Sequence, residues 1–137
     1  MITKGSGFTL IELLVVVAIL GILAAVGTIS YTGYIAGAKK KAAENTMQQI
    51  ALAQTEEYSN SAEYYTQGED CEPSEANSLG IETNLLNGSQ VLTKDNDYQM
   101  CIEEVGTSYI LIAAQVADGE IVADTLITMT ANGVWGN

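Results

Sequence analysis

Glu12 is the residue in this chain whose type and position most demand a chemical explanation. It stands at the entrance of a stretch, residues 13–38, that contains no charge at all. A carboxylate drawn into hydrocarbon unpaired costs several kcal/mol, so it needs a cationic partner. The nearest source is an α-amine made by cutting the chain just upstream. If the chain began at Phe8, that amine would lie one helical turn from Glu12. Other chemistry is short of materials: there is no histidine and there are two cysteines, Cys71 and Cys101. Zinc sites and Ser-His or Cys-His catalysis therefore lack their usual ligands and bases. Carboxylates are plentiful, but no spacing sets two of them up as an acid and a base. The reading is a protein without catalytic residues, cofactor or metal, and not an enzyme.

The element that would position Glu12 is apolar throughout. Residues 13–29 are aliphatic apart from Gly21, Gly27 and Thr28. A helix over residues 8–34 would be roughly 40 Å long, enough to cross a hydrocarbon core of about 30 Å. The lack of a polar stripe favours lipid or a tight bundle over a globular surface. A secretory signal peptide is the bland alternative, but its apolar core is shorter and lacks a glutamate at the entrance. A plain membrane anchor is another. Charge is divided along the chain: sixteen of the 17 acids lie beyond residue 41, where Lys94 is the only base, leaving −15 there. Such a surface repels phosphate backbones and argues against a nucleic-acid partner.

Gly7-Phe8-Thr9-Leu10-Ile11-Glu12, with Lys4 before it and the apolar run after it, resembles the processing site of class III signal-peptide prepilins. That family comprises the type IV pilins and the pseudopilins of type II secretion. The resemblance covers about thirty residues and implies cleavage between Gly7 and Phe8 by a prepilin peptidase, which also N-methylates Phe8. It further implies that Glu12 pairs with the Phe8 amine of a neighbouring subunit during assembly. Many members carry a proline where this chain has Ile29. Proline would remove a helical hydrogen bond there, whereas Gly21 and Gly27 are milder weak points.

The resemblance implies a division of the chain. Residues 1–7 are a leader, 8–35 a transmembrane and filament-core helix, and 36–137 a globular head. In the head, residues 36–58 continue the helix, with Ala43, Met47, Ile50 and Tyr58 on one face and Lys40, Glu44, Gln48 and Glu56 toward water. Helix from residue 8 to 58 would be about 75 Å long, which calls for membrane or neighbours to support it. Lys39, Lys40 and Lys41 are read as solvated, at lipid headgroups, or set against acidic surface on an adjacent subunit. They also oppose a simple positive-inside count, while the acidic, cysteine-containing remainder argues for export.

Residues 59–88 read as a connecting loop, ending at the turn signal Asn87-Gly88, which with Ser89 also forms a glycosylation sequon. Residues 89–137 read as an antiparallel sheet of three or four strands. Tyr98, Met100 and Ile102 alternate in the first strand, and Ile110, Ile112, Ala114 and Val116 in the second. Ile127 and Met129 suggest a third, with turns at Asp118-Gly119 and Asn132-Gly133. The expected fold is thus α+β, a long N-terminal helix on a small antiparallel sheet. Cys101 should point from the core toward the loop and, in an exported protein, form a disulfide with Cys71, free or metal-binding thiols being the alternative. Asp95 with Asp97, and Asp118 with Glu120 and Asp124, lack EF-hand spacing and read as solvated loops rather than a calcium site.

The resulting expectation is a structural subunit of a type IV pilus, used in adhesion, motility or uptake. It is an inner-membrane precursor that meets the prepilin peptidase and the membrane assembly machinery, then polymerises with copies of itself outside the cell. The alternative is a pseudopilin or minor pilin.

Overall fold

In the computed structural model, residues 7–94 and 97–136 are described. The leader residues up to 6, with Lys4, and Asp95 of the first acidic pair lie outside them. The elements are α1 (Leu10–Ser61), α2 (Glu75–Asn84), β1 (Tyr98–Val105), β2 (Ser108–Ala117), β3 (Glu120–Ile121), β4 (Ile127–Thr130) and β5 (Trp135–Gly136). The chain divides into two compact units, residues 1–37 and 38–137, an α+β arrangement as expected.

The first unit is the early part of α1. Its large apolar side chains, from Leu10 through Val26 and Ile29, are all exposed. It is long and apolar enough to span a bilayer.

The second unit is the head. Ala43, Met47, Ile50 and Gln54, at three- and four-residue steps along α1, are all buried. Tyr58 continues that stripe but remains 47% exposed, because it lies at the rim, stacked on Tyr64 at 4.6 Å between ring centroids. Tyr64 in turn meets Tyr109 edge-on at 4.9 Å. Of the residues expected to face water, Gln48 and Glu56 do so, while Lys40 and Glu44 are half-buried.

The sheet runs β1-β2-β4-β5, antiparallel throughout, with β3 also paired to β2. Its inner face is Met100 and Ile102 from β1, Leu111 and Ala113 from β2, and Ile127 and Met129 from β4. This corrects the strand parity expected for β2: Ile110 and Ile112 lie on the outer face. Residues 109–114 are apolar or aromatic at every position, so alternation alone cannot choose a face. The cross-strand pairs Met100↔Ala113 and Ile102↔Leu111 choose it, since a one-residue slip would turn every side chain over.

Two-residue turns set the register. Asp118 and Gly119 both have positive φ (53° and 83°), the signs of a type I′ turn, and they join β2 to the short β3. After Val122 the chain leaves the ladder and re-enters beside β2 as β4. Thr125 bridges the gap: its Oγ1 accepts from Gln115 N at 3.1 Å and donates to Val122 O at 2.7 Å. The Asn132-Gly133 turn leads, as expected, to β5.

Residues 59–88, expected as a loop, contain α2. Ser74 caps it, its side chain accepting from Asn77 N, one of the orphan amides of a helix start. Sequence periodicity does not show this helix because two of its three buried residues are polar: Ser78 and Glu82 are buried beside Ile81. Glu82 Oε1 accepts from Leu92 N at 2.6 Å and Thr93 N at 2.9 Å, and Oε2 accepts from Thr93 Oγ1 at 2.8 Å.

The same segment closes the outer edge of β1. Met100 N donates to Ser78 Oγ at 2.9 Å, Ile102 N to Gln67 Oε1 at 3.1 Å, and Glu104 N to Gly68 O at 3.0 Å. Gln67 N also donates to Ile102 O at 2.8 Å. Gln54 clasps the start of the segment, accepting from Tyr65 N at 2.9 Å and donating to Tyr65 O at 2.6 Å. The Cys71–Cys101 disulfide, with Cα atoms 6.2 Å apart, fastens it. Cys101 faces the loop as expected, but it is fully buried by what it holds.

Candidate processing and assembly site

Gly7, Phe8 and Thr9 precede the helix in non-helical conformation, and α1 begins at Leu10. Gly7 is exposed and has no positive φ. A Cβ built on it would meet nothing within 4 Å. Nothing around Gly7 in the described structure calls for a glycine. Phe8 is 82% exposed, leaving the Gly7-Phe8 peptide bond open to attack.

Thr9 is the N-cap. Its Oγ1 accepts from Glu12 N at 3.3 Å. Glu12 Oε2 reaches back to accept from Thr9 N at 2.8 Å and from Thr9 Oγ1 at 2.6 Å. This is a capping box, in which N-cap and third helical residue satisfy each other's amides. The carboxylate that seemed to lack a partner thus has an internal one in the uncut chain. The pattern Thr9-x-x-Glu12 before an apolar run is the sequence signature that would have revealed Thr9's part. The structure places Gly7, Phe8 and Glu12 within one short segment, with Glu12 pointing back toward the chain start. The two cysteines belong to the head.

The three lysines after the span are partly committed within the head. Lys39 Nζ lies 2.7 Å from Asp97 Oδ2, and Lys41 Nζ lies 2.5 Å from Glu44 Oε2. Both pairs are exposed on at least one side and contribute little to stability. Among the described residues, no group of three or more acids, cysteines or histidines is arranged to hold a metal ion.

Residues 3–28 match the prokaryotic N-terminal methylation motif. No curated protein and no solved structure matches the chain. The match covers Gly7, Phe8, Thr9, Glu12 and most of the apolar run. The motif implies a prepilin peptidase as processing enzyme, membrane anchoring of the precursor, and assembly of a pilus-type filament. The N-terminal segment carries the class III signal peptide motif of type IV pilins followed by a long apolar helix, a combination that supports a type IV pilin or pseudopilin-like precursor.

Proposed function

We propose that the chain is the structural subunit of an extracellular type IV pilus, polymerising through its N-terminal helix after cleavage behind Gly7. One observation carries the reading: the head has a complete core of its own, while the apolar window of α1 has none of its surface buried. That surface must be covered by lipid before assembly and by other copies afterward. Cleavage gives Phe8 a free amine, and Glu12 exchanges its Thr9 partners for the amine of a neighbouring subunit as the helices bundle. The chain's work in this reading is assembly, with no catalytic step. Electron microscopy of material sheared from cells tests it directly. Abundant filaments containing this chain, with N-methylated Phe8 as first residue, are expected. Processed chain that stays in the membrane without filaments would instead favour a pseudopilin or minor pilin.

A further inference from the structure

Beyond residue 41 the chain carries a single base, Lys94, against sixteen acids. Heads packed side by side in a filament therefore repel unless their few cations are well used, and of the lysines nearer the span Lys39 and Lys41 are already paired with acids of their own chain. Lys94 is exposed and makes no ion pair among the described residues. It stands just before β1. Past the other end of β1, about 25 Å away at strand rise, the head has a cleft of about 510 Å³. Tyr58, Glu63, Tyr64, Thr66, Glu104 and Ser108 line it. Neither Glu63 nor Glu104 has an ion-pair partner among the described residues. Tyr58 and Tyr64, stacked on each other, line the same cleft as the two carboxylates. Carboxylates together with aromatic faces form the chemistry that receives an ammonium group.

We propose that Lys94 of one subunit enters the Tyr58–Tyr64 cleft of the next and is held there by Glu63 and Glu104. The occupant is a second copy of this chain, and the proposal rests on the filament reading above. Because knob and cleft sit at opposite ends of β1, the contact is head-to-tail, the kind that propagates into an open chain rather than closing a symmetric dimer.

The test uses the full chain in cells that export and process it. Lys94→Glu and Glu104→Lys should each lower the yield of sheared filaments by roughly fivefold, the upper range for one exposed ion pair. The exchange variant carrying both should recover it. Asp124→Lys, with the same charge change on an exposed turn away from the cleft, should leave the yield unchanged. A Lys94→Cys/Glu104→Cys variant should give a ladder of disulfide-linked multimers on a non-reducing gel, and neither single cysteine variant should. Circular dichroism and an intact Cys71–Cys101 bridge verify folding of each variant. Normal filaments that give no ladder and ignore the charge variants would overturn the contact, as would losses that the exchange fails to restore. Absence of filaments from the unsubstituted chain would overturn the filament reading and this contact with it.

Discussion

In the proposed assembly Glu12 passes from its Thr9 partners to a neighbour's amine, and single substitutions separate cleavage from that exchange. Glu12→Ala removes the carboxylate but leaves the Gly7-Phe8 bond as exposed as before. Processed chain should therefore accumulate with filaments lost or misregistered, as read by N-terminal mass analysis and microscopy. A Cβ added at Gly7 meets no atom within 4 Å, so folding of Gly7→Val should be untouched while cleavage stops. Precursor of full mass would be recovered in the membrane, and normal processing of this variant would contradict the role given to Gly7. Glu12 was legible because a charge before an apolar run is anomalous by itself. Thr9 was not singled out, since threonine is unremarkable until its three-residue spacing to Glu12 is noticed.

Among the elements, the segment between α1 and β1 departs most from expectation. Its helix lacks a continuous apolar stripe, and its attachments are made by Gln54, Gln67, Ser78 and Glu82, polar residues that composition assigns to solvent. The α1 stripe, by contrast, was legible from spacing alone from Ala43 to Ile50, and departed at Tyr58, where the helix reaches the rim. The disulfide was legible as a pair, but not as the fastening of a strand edge. Closing a thirty-residue loop contributes about 3.5 kcal/mol by the chain-entropy estimate. Cys71→Ser should lower head stability by about that amount in denaturant unfolding of detergent-solubilised protein. Amide exchange should quicken at Met100, Ile102 and Glu104, whose N–H groups the segment receives. In the core, Ile50→Ala should cost about 2–5 kcal/mol, against less than about 0.5 kcal/mol for the exposed Leu52→Ala.

At the scale of the whole molecule, charge and burial set the pH range. Burial pushes the hydroxyls of Tyr98 and Tyr109 above the ordinary tyrosine value of 10.0, with Glu44 adding to the effect at Tyr98 and Tyr64 at Tyr109. The folded head keeps both protonated where the unfolded chain has begun to release protons. Its stability is therefore full below about pH 10 and falls as pH rises through the folded values. Alkaline unfolding should thus coincide with a late rise in tyrosinate absorbance, and Tyr109→Phe should flatten the loss. If the two tyrosines titrated at the ordinary value in the intact head, the packing described around them would be wrong.

The sealed edge of β1 also bears on how this protein is kept in store. Precursors waiting in a bilayer are crowded in two dimensions, where bare strand edges would recruit one another into cross-β aggregates. With the backbone of β1 answered by the chain's own Gln67, Gly68 and Ser78, a waiting head offers its neighbours only side chains on that side. The Cys71–Cys101 bridge holds that cover in place, so under the proposed assembly an oxidised head would wait with this edge closed.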